Sequence, residues 1–232
     1  MPAAGSAYNA PAMTFDAHKT LPQRVAMVRD QLRMRGIADQ RILDAFAELP
    51  RELFIPPTRR PQAYEDRPVS IGNGQTISQP YIVALMIEQL DVRDDHRVLD
   101  VGCGSGYQTA LLARLAREVF AIERIGTLAE RAQAVFDELG LDNITLTVAD
   151  GTAGWAEHAP FDRIICGAAG PDVPEAWIDQ LADAGRIVMP VGPSDLQELI
   201  AVDKYGGRIA RRAICGVRFV PLIGRQGWPE TE

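Results

Sequence analysis

Three closely spaced glycines come directly after an apolar run of strand length and before a segment with helical periodicity. They are Gly102, Gly104 and Gly106, in the string DVGCGSG. Glycine permits a tight turn and a close approach of the backbone to a ligand, and the first N–H groups of a following helix have no partner within that helix. The strand is expected over residues 97–101 and the helix over residues 107–117, with its apolar side chains on one face. This arrangement predicts a ligand-binding loop between a strand and a helix.

Two acidic residues indicate what the loop would bind. Glu123 ends a second apolar run, residues 119–122, where its carboxylate can accept hydrogen bonds from both hydroxyls of a ribose. Asp100 stands two residues before the first glycine, so its charge would oppose a pyrophosphate and favour a ligand with an ammonium and a sulfonium group. The glycines are spaced G-x-G-x-G, whereas a dinucleotide site has G-x-G-x-x-G. We therefore predict S-adenosylmethionine rather than NAD as the ligand. The alternative is a glycine-rich turn that binds nothing.

A third acidic residue, Asp150, follows the strand expected over residues 144–148. Ligands of α/β sheets lie at the carboxyl ends of the strands. A carboxylate at this position can accept a hydrogen bond from the exocyclic amine of an adenine. The alternative is a plain Asp-Gly turn.

The elements that would position these residues alternate between strand and helix from residue 97 to residue 190. Alternation of this kind predicts a doubly wound, mostly parallel α/β sheet. Besides the segments already named, helices are expected at residues 21–35, 39–49, 80–90, 127–139 and 174–182, and strands at 161–166 and 186–190. Residues 54–68 are expected to be irregular, and strands at 197–203, 209–214 and 216–223 would form a C-terminal antiparallel meander.

Composition and charge are those of a soluble globular protein. With 232 residues, the chain is expected to form one domain over residues 21–232, preceded by a disordered tail over residues 1–20. That domain would comprise N-terminal helices and a loop (21–90), a ligand-binding core (91–190) and C-terminal strands (191–232). The net charge of −7 argues against nucleic-acid binding. No apolar run is long enough to cross a membrane, and the first 20 residues are not expected to act as a secretory leader. Three scattered cysteines, without metal-ligand spacing, fit reduced thiols in a cytoplasm.

Several motifs outside the glycine loop are more specific. The segment 64–86 reads YEDRPVSIGNGQTISQPYIVALM, and ERI, ADG, FDRIICGAA, PVGP and VRFVPL follow in order. Together with DVGCGSGYQTALLA they resemble the protein-L-isoaspartate (D-aspartate) O-methyltransferase family, over roughly residues 20–223. The glycine loop alone is shared by many methyltransferases, whereas GQTISQP combined with VRFVPL is much more specific.

The resemblance implies a Rossmann-like class-I methyltransferase fold and a repair reaction. The family uses S-adenosylmethionine to methylate the free carboxylate of L-isoaspartyl and D-aspartyl residues in damaged proteins, and the ester then re-forms a succinimide. Ser78 would be the active-site residue, which hydrogen-bonds the substrate carboxylate and aims an oxygen at the methyl group. The cofactor would be held by Thr76, Ile77, Gln79, Pro80, Asp100, Gly102, Gly104, Gly106, Glu123, Asp150 and Gly151. The isoaspartyl residue would be held by Ser78, Val217 and Val220.

The chain departs from the family pattern at a few positions. Cys103 stands where relatives often have Thr or Ser, Tyr81 stands where some have His, and residues 1–20 have no counterpart. Ser78 also precedes a helix, so from the residues alone it could be merely a helix cap. Two other functions share the glycine loop: methylation of a small molecule or another protein side chain, and non-catalytic cofactor binding. The expected partners are isoaspartyl proteins, with no metal, nucleic acid or membrane, and the chain is expected to be a monomer.

Overall fold

The structure is a computed structural model that describes residues 19–193 and 195–230. Most of the tail expected at residues 1–20 lies outside the described residues. The helices are α1 (Leu21–Ala26), α2 (Gln40–Glu48), α3 (Pro80–Leu90), α4 (Tyr107–Ala113), α5 (Gly126–Glu138) and α6 (Glu175–Gln180). The strands are β1 (Val69–Gly72), β2 (Gln75–Ile77), β3 (Arg97–Val101), β4 (Glu118–Glu123), β5 (Ile144–Val148), β6 (Phe161–Cys166), β7 (Leu181–Val191), β8 (Gln197–Tyr205) and β9 (Arg208–Val217).

One large sheet carries the fold, in the strand order β5-β4-β3-β6-β7-β8-β9. The first five strands in this order run parallel to their neighbours. The pairs β7–β8 and β8–β9 are antiparallel. The predicted fold class, a doubly wound, mostly parallel sheet with C-terminal antiparallel strands, is confirmed.

Both faces of the sheet are covered, which explains why its central strands are almost continuously apolar. Successive residues of a strand point to opposite faces. Val98 accordingly packs in the cluster that contains α2 and α3, and Leu99 packs in the cluster around Trp177 of α6. The N-terminal helices belong to the first of these clusters, since Met27 and Phe46 are buried in it together with the sheet residues.

Local signals in the sequence set the ends of several helices. Asp39 caps α2 by accepting a hydrogen bond from the N–H of Arg41 at 2.9 Å. Pro80 is the first residue of α3, where its missing N–H costs nothing. The helix expected at residues 21–35 is interrupted, because α1 passes into a π segment, Met27–Leu32, and a 3-10 turn, Arg33–Arg35. Gly36, with φ +98°, ends this run.

Some predicted elements were wrong or misplaced. Helix α4 ends at Ala113 rather than at residue 117, and α6 ends at Gln180, so that residues 181–182 belong to β7. The segment 54–68, expected to be irregular, contains a 3-10 helix over Pro57–Gln62. The predicted strand 209–214 and only the first two residues of the predicted strand 216–223 belong to one strand, β9, and residues 218–220 form no regular element. The antiparallel hairpin β1–β2 was not predicted.

Candidate active site

A crevice opens at the carboxyl ends of β3 and β6, where the strand order reverses. The chain continues from β3 to β4 on one side, whereas β6 lies on the other side of β3, so the loops after β3 and β6 diverge. A cavity of about 90 Å³ lies there, lined by Gly102 and Gly104 from the first loop and by Gly167 and Ala168 from the second. The position is the one expected for a nucleoside ligand.

The glycine loop has the backbone conformation that its sequence requires. Gly102, Gly104 and Gly106 have φ values of +71°, +58° and +89°, a region that other residues rarely adopt. Gly106 lines neither this cavity nor the one beside it. A Cβ at Gly106 would stand 2.6 Å from the Phe136 ring of α5. In this structure Gly106 therefore serves helix packing, and its predicted contact with the cofactor stays a prediction.

Glu123 lines the cavity at the carboxyl end of β4 and is 5% exposed. Its Oε2 accepts a hydrogen bond from the N–H of Gly104 at 2.8 Å, and its Oε1 accepts one from the N–H of Ile125 at 2.9 Å. A carboxylate offers about four acceptor sites, so both oxygens keep capacity for the hydroxyls of a ribose. The geometry is compatible with the role predicted for this residue.

Asp100 lies beneath the loop rather than in the cavity wall. It is fully buried, and its carboxylate accepts hydrogen bonds from Gln108 Nε2 at 2.8 Å and Thr109 Oγ1 at 2.6 Å. Burial raises the pKa of Asp100 to about 6, an effect that these two hydrogen bonds reduce and the nearby Glu123 increases. Any effect of Asp100 on the ligand would therefore act through its charge or through the loop, and its direct contact stays a prediction.

Asp150 and Gly151 are neighbours with different roles. Gly151 lines the cavity, and a Cβ there would clash with Val101 Cγ1, so only glycine fits. The carboxylate of Asp150 instead accepts hydrogen bonds from the N–H and hydroxyl of Thr152 and from the N–H of Arg225. Burial opposes ionisation of Asp150, but these hydrogen bonds outweigh it and lower its pKa. Asp150 thus anchors the C-terminal segment, and its contact with an adenine remains untested.

The loop that carries Ser78 lies between the β1–β2 hairpin and α3. Ser78 does not cap the helix: the N-cap residue of α3 is Gln79, and the cap has no side-chain hydrogen bond. Within the described part of the chain, the hydroxyl of Ser78 makes no hydrogen bond, whereas its carbonyl oxygen accepts one from Arg51 Nη2 at 2.6 Å. The capping interpretation therefore has no support in the structure.

A larger cavity of about 510 Å³ adjoins this loop. Ser78, Val217 and Val220, the three residues predicted to hold the substrate, all line it, as does Gln79. A smaller cavity of about 40 Å³, lined by Ile77, Ser78 and Gly104, lies beside it. Pro80 lines none of these three cavities and instead begins α3.

Thr76 and Gly167 line all three cavities. They therefore mark the point where the space beside Glu123 meets the space beside Ser78. A group bound near Glu123 and a group bound near Ser78 would face each other at this junction.

Sequence reasoning missed several residues around the site. Gln75, Arg124, Ile125, Ala168 and Ile223 also line the cavity beside Glu123. Gln197 is 4% exposed, and its side chain binds both polar backbone groups of Phe219. The N–H of Phe219 donates to Gln197 Oε1 at 2.6 Å, and Gln197 Nε2 donates to Phe219 O at 3.2 Å. Tyr81 packs under the Arg35 guanidinium, 3.5 Å from the ring centroid, and lines none of the three cavities. No local pattern marked Gln197, since its partner lies 22 residues further along the chain.

Comparisons with known proteins decide the family. Residues 23–227 match the profile of the family described as Protein-L-isoaspartate(D-aspartate) O-methyltransferase (PCMT). The chain belongs to this family. The predicted resemblance is thus confirmed, and with it the assignment as a methyltransferase of isoaspartyl residues.

Relatives of the chain agree along nearly its whole length. It is 53% identical over 219 residues to "Protein-L-isoaspartate O-methyltransferase 2" of Marinobacter nauticus, covering 94% of this chain and 100% of that protein. It is 50% identical over 206 residues to the protein-L-isoaspartate O-methyltransferase of Methanoculleus marisnigri, covering 89% and 94% of the two chains. A solved structure of the putative family member from Plasmodium falciparum, in complex with S-adenosyl-L-homocysteine, is 27% identical with a TM-score of 0.76, covering 86% of this chain and 98% of that chain.

Over residues 19–193 and 195–230, no cluster of three or more His, Cys, Asp or Glu side chains could hold a metal ion. None of the helices in the same residues combines the length and apolar character that a membrane span requires.

Proposed function

We propose that this chain methylates isoaspartyl residues with S-adenosylmethionine bound beside Glu123 and the substrate carboxylate bound beside Ser78. One observation carries the residue assignment: the cavity that contains Glu123 and the cavity that contains Ser78 share Thr76 and Gly167 as walls. In a member of this family, that junction is where the methyl group would pass from cofactor to substrate.

The residues beside Glu123 fit S-adenosylmethionine. The Glu123 carboxylate is already oriented by two backbone N–H groups and keeps acceptor capacity for two hydroxyls. The loop before it carries no Cβ at Gly102 and Gly104, which leaves its backbone open to a closely packed ligand. Glu123 would hold the ribose, and Gly151 would lie against the adenine. The bound cofactor supplies a methyl group that its sulfonium has already activated.

The chain's own residues would then hold and orient the substrate. A carboxylate is ionised near pH 7, so no general base is needed to prepare the attacking oxygen. The Ser78 hydroxyl, which has no partner among the described residues, is available to donate a hydrogen bond to this carboxylate. Orientation of the two reacting groups would supply the acceleration.

Selectivity for the isoaspartyl backbone requires polar contacts, because an apolar pocket distinguishes one methylene by only about 1–3 kcal/mol. The N–H of Phe219 is committed to Gln197. Among the backbone groups of residues 217–220, the N–H groups of Arg218 and Val220 donate no hydrogen bond to any described residue. Together with Ser78, these are the groups that we propose recognise the isoaspartyl carboxylate and its neighbouring peptide.

A pair of matched peptides tests this function. An isoaspartyl peptide and its normal aspartyl counterpart would be incubated with the enzyme and S-adenosylmethionine that carries a labelled methyl group. We expect base-labile label on the isoaspartyl peptide alone. Equal labelling of both peptides would contradict the repair function, and labelling of neither would contradict the substrate assignment.

We also propose that the enzyme acts as a monomer in the cytoplasm, on proteins rather than on nucleic acids or membranes. The net charge of −7 supports a protein substrate rather than a nucleic acid, and the buried thiols of Cys103 and Cys166, whose pKa values burial raises, fit a reducing compartment. Sedimentation of the purified chain tests its oligomeric state, and fractionation of cells tests its location.

A further inference from the structure

Arg51 is a fully buried arginine directly behind the active-site loop. Its side chain is 0% exposed. Its Nε donates to Ala63 O at 2.8 Å, and its Nη2 donates to Ser78 O at 2.6 Å. A buried charge is costly unless it is paired and hydrogen-bonded, so a guanidinium at this position requires a reason.

No carboxylate among the described residues forms an ion pair with Arg51. The neighbouring Glu52 carboxylate instead accepts a hydrogen bond from the Tyr64 hydroxyl. Burial lowers the pKa of Arg51 to about 10, which still leaves the side chain charged at neutral pH. Two carbonyl oxygens and an aromatic ring thus face the Arg51 charge, Asp66 acts on it only without an ion pair, and its Nη1 has no hydrogen-bond partner among the described residues.

That aromatic ring connects Arg51 to the cofactor side of the site. The Arg51 guanidinium carbon lies 4.8 Å from the centroid of the Tyr107 ring, within the range of a cation–π contact. Tyr107 is the first residue of α4 and follows Gly106, the last glycine of the loop. Ser78 and Tyr107 both line the same small cavity. Arg51 therefore contacts the Ser78 loop through its Nη2 and the ring of Tyr107, at the end of the glycine loop, through its guanidinium group.

We propose that Arg51 is a positioning residue that fixes the Ser78 loop relative to the glycine loop. The hydrogen bond to Ser78 O is charge-assisted and so stronger than a neutral one. By holding the peptide after Ser78, it sets the direction of the Ser78 side chain, while contact with Tyr107 fixes this arrangement against the cofactor loop. This inference rests on the proposed role of Ser78 in isoaspartyl methylation.

The variant Arg51→Met tests the proposal against a matched control, Arg163→Met. Arg163 is also buried, at 7% exposure, and its guanidinium likewise donates to backbone carbonyls, those of Asp91 and Asp162 at 3.1 and 2.8 Å. Unlike Arg51, it also forms an ion pair, with the Asp91 carboxylate at 3.7 Å. It lies in the amino-terminal half of β6, away from the cavities. Both variants should lower the melting temperature, because each removes buried hydrogen bonds. Only Arg51→Met should lower kcat on the isoaspartyl peptide, by about 10- to 100-fold, with S-adenosylhomocysteine affinity changed less than about threefold.

Hydrogen–deuterium exchange separates this inference from the proposed function, because it does not depend on turnover. Arg51→Met should accelerate exchange at residues 76–79, and Arg163→Met should not. An inactive parent enzyme would contradict the proposed function, and the exchange result would still decide the role of Arg51. Unchanged exchange at residues 76–79 in Arg51→Met, or an equal loss of kcat in both Met variants, would overturn it.

If Arg51→Met does not fold, Arg51→Lys decides the question. Lysine keeps a cation but offers one point of donation instead of a fork. We expect a kcat lower by at least several-fold and faster exchange at residues 76–79 in the folded protein. Parent values for both quantities would overturn the proposal.

Discussion

The backbone N–H of Gly104 donates to Glu123 Oε2 at 2.8 Å, which ties the loop after β3 to the last residue of β4. The opposite oxygen is held by Ile125 N–H at 2.9 Å. Backbone N–H groups therefore hold both oxygens of the carboxylate that would bind the ribose. Preorganisation of this kind lowers the entropy lost on binding.

Replacement of Glu123 by Ala should weaken binding of S-adenosylhomocysteine by about 1–3 kcal/mol, because the ribose acceptor and its backbone contacts are lost together. Isothermal titration calorimetry measures the change directly. Glu130→Ala is the control, since Glu130 is exposed on α5 and lines none of the three cavities. Unchanged affinity in Glu123→Ala would show that the ribose is held elsewhere.

Ser78→Ala should lower kcat while cofactor affinity and melting temperature stay nearly constant. The reason is that the Ser78 hydroxyl has no partner among the described residues and does not cap α3, so only the substrate would lose a contact. Steady-state kinetics on the isoaspartyl peptide and thermal unfolding measure the two effects. Ser70→Ala is the control, because Ser70 is an exposed residue of β1 whose hydroxyl accepts only a long hydrogen bond, from Gly72 N–H at 3.5 Å.

Ser78→Asp extends this test by placing a negative charge against the substrate carboxylate. We expect a folded protein with little activity, because the introduced carboxylate would repel the substrate carboxylate. Methylation at the parent rate by Ser78→Asp would contradict the positioning role of Ser78.

Gln197→Leu should raise the KM for the isoaspartyl peptide. Gln197 holds both polar backbone groups of Phe219, in the segment that lines the substrate cavity. Its loss leaves these groups without a partner and costs about 1–3 kcal/mol of stability. Affinity for S-adenosylhomocysteine should change much less.

Gln180→Leu provides the matched control for Gln197. Gln180 is also buried and makes the same two kinds of bond, accepting from Trp155 N–H at 2.7 Å and donating to Ala153 O at 2.9 Å. The Gln180→Leu variant should lose about as much stability as Gln197→Leu, whereas its KM for the isoaspartyl peptide should not change. A similar rise in KM in both variants would mean that the effect of Gln197 is general destabilisation.

Asp100 should make the folded protein less stable as pH rises, which is unusual for a carboxyl group. Its pKa is raised by burial to about 6 in the folded protein, against about 4 in an unfolded chain. Between these values the folded protein keeps a proton that the unfolded chain has lost, so the free energy of unfolding falls as pH rises through this window. The full loss, reached above about pH 6, amounts to about 3 kcal/mol.

Asp100→Asn removes this titration. The difference in unfolding free energy, variant minus parent, should therefore grow by about 2–3 kcal/mol from pH 4 to pH 7. Urea unfolding at a series of pH values measures it, with Asp94→Asn, at an exposed position, as the control. Parallel curves for Asp100→Asn and the parent would contradict the prediction.

The core of the fold was predictable because its signals are local. Strands β3, β5 and β6 and helix α3 have the expected bounds, since each is an apolar or alternating run closed by Gly, Asp or Pro. The hairpin was missed although its signal was present. Asn73-Gly74 is a typical two-residue hairpin turn, and both residues have positive φ, +52° and +70°.

The segment after β9 could not be predicted from its own pattern. Val217, Phe219 and Pro221 alternate with other residues as in a strand, but a local pattern does not specify a partner. In the structure, Ala169 N–H donates to Val220 O and Leu222 N–H donates to Ala169 O, both at 2.8 Å, which turns the segment across the end of β6. For the same reason, the sequence could not predict the two hydrogen bonds between Gln197 and Phe219 or the hydrogen bond from Arg51 to Ser78.

The cavity beside Glu123 combines residues from distant parts of the chain, from Gln75 in β2 to Ile223 after β9. A ribosome releases these residues in order, so the wall formed by residues 220–223 is the last part to be synthesised. A nascent chain would complete the sheet around β3 and β4 before it could enclose a cofactor. The cavity can therefore enclose a cofactor only once residues 220–223 have been synthesised.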